Sequence, residues 1–225
     1  MKWILDLFSS TLGRKLLMAL TGLFLILFLV VHLAGNLQLL KHDEGRAFNV
    51  YAEFMGTNTI VQLISKGNFF FILLHVFVSL ALTIRNRGAR GSQGYAVSGK
   101  SSIWASRNMG ILGTFILIFL VIHLKDFWAT QHYGTMDMAV YDNDSYKNLY
   151  SLVWFWFSKG WYVALYVFCM VALSFHLWHG FASAFQTLGM NHSKYNLLIG
   201  FVGKAFAVIV PALFAWIPLY IYFMN

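Results

Sequence analysis

The chain has 225 residues, 59% of them hydrophobic and only 11% charged, and carries a formal net charge of +8. A soluble domain carries roughly 25% charged residues, so this composition excludes a water-faced globule. The basic residues gather at the ends of apolar runs, which points to the positive-inside rule rather than to nucleic-acid binding.

A single membrane domain over 1–225 is expected, because the longest polar stretch, about 129–151, is too short to fold alone. The N-terminal MKWILDLFSSTLGRK has no signal-peptide cleavage pattern, and the apolar run after it is too long for the core of one, so it reads as a retained helix. Five segments have the length and apolarity of a spanning helix: about 15–40, 61–84, 109–128, 161–186 and 204–223. The predicted fold class is therefore all-α, an integral membrane bundle of five transmembrane helices. The connection at 41–60 is mixed and suits a short interfacial helix with Phe48, Tyr51, Phe54 and Met55 toward lipid. The stretch 88–102 is rich in Gly and Ser and reads as a loop. Both prolines, Pro211 and Pro218, fall in the last span and predict a bend.

With the N-terminus inside, ten basic residues, from Lys2 to Lys204, lie on the inner side and six on the outer. The connection from Arg85 to Arg107 alone holds five and no acid. That asymmetry predicts an N-terminus in the cytoplasm and a C-terminus outside.

The first and third spans share a motif. Residues 21–33 read TGLFLILFLVVHL and residues 112–124 read LGTFILIFLVIHL, identical at seven of thirteen positions. Gly22 and His32 match Gly113 and His123, ten residues apart in both copies, so the two helices are expected to have equivalent roles.

Histidine carries the chemistry. Ionisable residues inside a bilayer are costly and mark function by default. Here four of five spans hold one well inside the apolar run: His32, His75, His123 and His176. One such histidine is often only a structural hydrogen-bond donor to a neighbouring helix. Four neutral imidazoles suit two haems, each iron held by two axial imidazoles from facing helices. The single cysteine, Cys169, leaves no Cys-x-x-Cys-His attachment site, so any haem is held non-covalently. A zinc site would require ligands at one depth, with cysteine or carboxylate partners.

Depth gives the pairing. At about 1.5 Å of rise per residue, His32 lies about 25 Å from Lys15 and His123 about 24 Å from Arg107 at the inner edge, whereas His75 lies about 15 Å from Arg85 and His176 about 20 Å from Gly189. His32 with His123 is then an outer pair; His75, which Lys66 nine residues before it would also allow at mid-membrane, is left by elimination with His176 as an inner one. His176 and His179 both lie in SFHLWHGF, and spacing alone does not choose between them. Gly180, Gly22 and Gly113 offer close approach to a flat macrocycle, although close helix packing uses glycine as often. His42, His132 and His192 fall in loops and read as solvated side chains.

These residues resemble a known family. SSTLGRKLLMALTGLFLILFLVVHLAGNLQ (9–38) and FHLWHGFASAFQTLGMNH (175–192) resemble the cytochrome b558 subunit of succinate dehydrogenases and the related fumarate reductases, and the likeness covers essentially the whole chain. The resemblance implies a five-helix anchor in a bacterial inner membrane holding two haem b groups. It implies that the first histidine of H-x-x-x-G is the axial ligand, which selects His176 over His179. It implies a flavoprotein (FAD) subunit and an iron–sulfur subunit on the cytoplasmic face, with electrons passing to or from a membrane quinone, usually menaquinone. The inner haem would be proximal to the iron–sulfur subunit and the outer one distal. Quinone chemistry needs a proton donor. Glu53 and Asp126 are candidates at the outer end, and Ser10 and Arg14 at the inner. Arg107, Arg14 and Lys15 are candidates for haem propionates, but their place at helix ends favours lipid phosphates and water. The competing readings are the cytochrome b of another quinone-linked dehydrogenase, acting on hydrogen or formate, and a haem-free transporter using the histidines as a relay.

Overall fold

A computed structural model describes residues 10–90 and 104–224. Lys2, Lys100 and the glycine- and serine-rich stretch 91–102, which entered the orientation and loop expectations, lie outside these residues. The helices are α1 (Thr11–Asn36), α2 (Arg46–Thr57), α3 (Thr59–Arg90), α4 (Trp104–Arg107), α5 (Met109–His123), α6 (Thr130–Tyr133), α7 (Leu149–Phe157), α8 (Gly160–Thr187) and α9 (Ser193–Met224). A wide π-helical turn, Leu124–Ala129, joins α5 to α6. Among the described residues five helical stretches are long and apolar enough to cross a membrane: Thr11–Leu40, Thr59–Ala89, Met109–Tyr133, Gly160–Thr187 and Ser193–Met224. The chain is an all-α integral membrane protein with five spans.

Large apolar side chains point outward along these spans, including Leu27, Leu63, Phe70, Val121 and Phe201. That pattern would be an aggregation hazard in water and is what lipid requires. Lipid gives helices no hydrophobic reason to associate, so the spans meet through small residues. Ala19, Ala172, Ala184 and Ala207 are all buried.

Three expectations need correction. The last span begins at Ser193, not 204, because SKYNLLIGFVG contains no helix breaker that its own backbone bonds cannot absorb. Residues 88–90 belong to α3 and not to a loop, since a single glycine, Gly88, costs a helix only about 1 kcal/mol. Helix α2 forms as expected, with Phe54 exposed, but Phe48 is buried rather than turned to lipid. The polar stretch also holds two elements that composition did not reveal. Strands β1 (Met138–Tyr141) and β2 (Asp144–Lys147) form an antiparallel hairpin. Its two turn residues, Asp142 (φ 49°) and Asn143 (φ 73°), are left-handed, as a two-residue hairpin turn needs. The apolar α7 follows it, capped by the Asn148 side chain on the Ser151 N–H.

The described parts of the chain group into two compact units. One comprises Met1–Phe28, Gly67–Gly113 and Ser174–Val208; the other Leu29–Lys66, Thr114–Leu173 and Ile209–Asn225. In the second unit, Asn49 ties the interfacial segments together. It is buried, donates through Nδ2 to Tyr141 Oη (3.0 Å) and Asn148 Oδ1 (3.2 Å), and accepts from the Tyr150 N–H (2.9 Å). Arg46 pairs with Asp142 beside it. Gly45, at φ 83°, caps α2 in a left-handed conformation where a Cβ would strike the Tyr150 ring. Burial first, and then the Asp43 carboxylate, push the Tyr150 phenol above its ordinary range.

Replacing Asn49 with Leu would strand the Tyr150 N–H and remove the two hydrogen bonds that Nδ2 donates to Tyr141 and Asn148 at a buried point. The expected cost is about 2–3 kcal/mol, read as a lower thermal midpoint of the detergent-solubilised protein. An unchanged midpoint would show that the hairpin and α2 do not depend on this side chain.

Candidate functional site

The four intramembrane histidines meet in two pairs, each inside one unit. In the second unit, His32 on α1 and His123 at the end of α5 have ring centres 5.8 Å apart, with planes nearly perpendicular at 88°. In the first unit, His75 on α3 and His176 on α8 have ring centres 6.4 Å apart at 57°. These are the pairs that helix depth suggests. Among the described residues there is no cluster of three or more His, Cys, Asp or Glu side chains able to cage a metal ion.

Hydrogen bonds to ring Nδ1 atoms orient the imidazoles of His75 and His123. The Thr21 hydroxyl lies 2.7 Å from the Leu17 carbonyl, one turn back, and 3.0 Å from His75 Nδ1. A hydroxyl has one proton. Given to Leu17, it leaves the oxygen to accept from His75 Nδ1–H, so His75 keeps its lone pair on Nε2. His123 reaches the same state by a longer route. Tyr162 donates to Asp126 Oδ2 (3.1 Å), Tyr162 and Tyr166 share a hydroxyl contact (3.2 Å), and the Tyr166 hydroxyl lies 3.1 Å from His123 Nδ1. A carboxylate only accepts, and that fixes the sense of the whole chain: Tyr166 donates to Tyr162, and His123 Nδ1–H donates to Tyr166. The free lone pair of His123 is therefore also on Nε2. A ligating histidine held through its second nitrogen is the usual arrangement at metal sites.

His176 differs, since its Nδ1 is buried without a hydrogen-bond partner. The repeat explains the difference. Thr21 and Gly22 precede His32 as Leu112 and Gly113 precede His123. Both glycines face the other pair: a Cβ on Gly22 would lie 3.6 Å from His75 Cε1, and one on Gly113 would lie 4.0 Å from His176 Cε1. Beside Gly113, however, stands buried Leu112, with no hydroxyl to offer. A Cβ at Gly180 would meet nothing within 4 Å. Each repeat copy thus supplies a histidine to one pair and a glycine to the other, which sharpens the expectation of equivalent roles.

Aromatic rings enclose the His32–His123 pair. Phe214 on α9 sits 5.7 Å from His32, and Phe119 and Phe127 sit 5.6 and 5.3 Å from His123. Next to the other pair, His179 is on α8 but His176 is the one that meets His75. His42, His132 and His192 are exposed.

The remaining expected residues are dispersed. Ser10 Oγ caps α1 by accepting from the Gly13 N–H (3.0 Å), and Arg14 follows in the first turn. Glu53 lies on α2, with no ion pair among the described residues. Asp126 is buried, 5% exposed, and Lys125 Nζ stands 3.0 Å from it. Sequence reading found Asp126 but not its tyrosines. Their spacing of four on α8 puts both hydroxyls on one face, a pattern easily taken for interfacial aromatics. Thr21 opens the repeat, but nothing in its sequence neighbourhood points to a histidine 54 residues away.

Two imidazoles holding one metal ion from opposite sides have ring centres about 6 Å apart, given metal–nitrogen bonds of about 2.0–2.1 Å. Both pairs fit a bis-histidine haem on that measure, and in both a ring nitrogen is freed by a partner on the other side of the ring. Comparison with protein-family models, curated proteins and solved structures finds no match for this chain.

Replacing Thr21 with Val keeps the volume and removes the acceptor. His75 is expected to lose its single tautomer, seen as a change in its ring nitrogen shifts after selective isotope labelling. Unaltered shifts would mean that Thr21 does not hold the ring.

Proposed function

We propose that this chain is the dihaem cytochrome b membrane anchor of a succinate:quinone oxidoreductase. The observation that carries the reading is the presence of two separate histidine pairs, each with a ring separation suited to one metal ion. In this reading His32 and His123 hold one haem b, and His75 and His176 hold the other. When bound, a haem with two imidazole ligands exchanges single electrons and offers no open iron position to oxygen. The chain's own residues bind and orient. Thr21 and Tyr166 fix the ligand tautomers, Phe119, Phe127 and Phe214 keep water from the His32–His123 pair, and Gly22 and Gly113 leave room beside the His75–His176 pair.

The resemblance of 9–38 and 175–192 to the cytochrome b558 family supplies the physiological frame. The N-terminus faces the cytoplasm of a bacterial inner membrane, where a flavoprotein and an iron–sulfur subunit dock, and the chain relays electrons between them and a membrane quinone, menaquinone by family habit. The basic asymmetry of the connections supports that orientation. For the quinone protons, Glu53 and Asp126 are the outer candidates and Ser10 and Arg14 the inner ones.

One observation favours a second reading. The run from Asp126 through Tyr162 and Tyr166 to His123 is a continuous hydrogen-bonded chain, which a haem-free proton relay would also need.

Haem analysis of the purified chain separates the two. Two haems per chain are expected, with a reduced α-band in the visible spectrum. His32→Ala or His123→Ala should remove one haem, His75→Ala or His176→Ala the other, and His179→Ala neither. A preparation free of haem would favour the relay. Loss of haem with His179→Ala but not with His176→Ala would reassign the ligand. Haem reduced by formate or hydrogen but not by succinate in the native complex would move the chain to another quinone-linked dehydrogenase.

A further inference from the structure

We infer that Asp126 is a positioning residue which acts through Tyr162 and Tyr166 on His123 and lowers the reduction potential of the haem held by His32 and His123. The inference rests on the haem reading above and goes beyond it by assigning a task to three residues that do not touch the metal.

Three observations converge on it. Asp126 is a carboxylate 5% exposed inside a span, where an ionisable group is expensive and its presence asks for a reason. It is delivered there by the π-helical turn Leu124–Ala129, which begins at the residue after His123. Such wide turns break the regular backbone ladder and recur at functional sites. Every link between the carboxylate and His123 lies between 3.1 and 3.2 Å, and its two hydroxyls belong to Tyr162, fully buried, and Tyr166, 5% exposed.

The direction of the effect follows from polarity. Because the carboxylate can only accept, each donor in the chain points toward it and away from His123. Electron density is pushed the opposite way, onto the imidazole, and successive bonds strengthen one another in a poorly screened interior. A more basic axial ligand stabilises the ferric state over the ferrous, and so does a nearby negative charge. Hydrogen bonding behind the ligand is one of the levers that set haem potential. Lys125 Nζ, 3.0 Å from Asp126 Oδ1, offsets part of that charge, but its side chain is 78% exposed and screened by water, whereas the carboxylate is not. The other pair has no counterpart. His75 is held by a neutral threonine, and His176 Nδ1 has no partner.

The test is a redox titration of the purified haem-loaded protein, following both haems by their visible bands. Asp126→Asn keeps an oxygen that can accept from Tyr162 but removes the charge. Tyr166→Phe keeps the ring and cuts the link to His123. Each should leave two haems bound and shift one of them about tenfold toward the reduced form at fixed ambient potential. That is about 59 mV upward for a one-electron couple. The other haem should not move. Asp126→Glu should restore most of the original potential. Thr21→Val serves as the converse, moving only the haem of His75 and His176. Two bound haems with neither potential altered in Asp126→Asn and Tyr166→Phe would overturn the inference and leave the haem reading standing. A wild-type protein without haem would remove both. If Asp126→Asn fails to keep its haem, Tyr166→Phe decides alone.

Discussion

Everything in this chain depends on how little tolerance a spanning helix has for an unpaired polar group. In lipid there is no water to satisfy a stranded donor, so a polar side chain in a span is costly unless it finds a partner within the protein. Thr21 meets the condition twice, giving its proton to the Leu17 carbonyl and its lone pair to His75. Asp126 meets it with a tyrosine and a lysine. The four histidines meet it unequally, and the inequality carries the chemistry: a ring nitrogen that is held on one side is free to bind on the other.

The repeat between residues 21–33 and 112–124 shows how one sequence pattern serves two sites. The shared glycine and histidine do not act at the same pair. The single substitution of Leu112 for the threonine at position 21 leaves one site with a hydroxyl behind its histidine and the other without. Two similar helices thus give two dissimilar histidine environments.

Much of the fold was legible in the sequence because membrane physics writes itself into composition. Long apolar runs set the five spans, and the rarity of histidine within such runs singled out His32, His75, His123 and His176. The choice between His176 and His179 was not legible from spacing, because residues three apart share a helix side; ring contact with His75 separates them. The start of α9 was misjudged because a polar first turn is still helical when nothing interrupts it. The hairpin is hard to read although Asp142–Asn143 is an apt turn pair, since its strands, MAVY and DSYK, are only four residues long and do not alternate apolar with polar residues. The tyrosine chain was hidden for a different reason. It joins residues 36 positions apart, and nothing local to Tyr162 or Tyr166 announces that a carboxylate lies against them.

The wide turn after His123 has a consequence for how this span is drawn. An ordinary helical wheel assumes a constant advance of 100° per residue, equivalent to 3.6 residues per turn. A π turn adds a residue to its turn and resets the phase of all that follows. The span Met109–Tyr133 therefore carries two wheels, not one. Phe119 and His123 belong to the first, and Trp128 and His132 to the second, so a stripe of side chains traced through both would join faces that do not align. Asp126 lies in the seam between them, where neither wheel assigns it a direction.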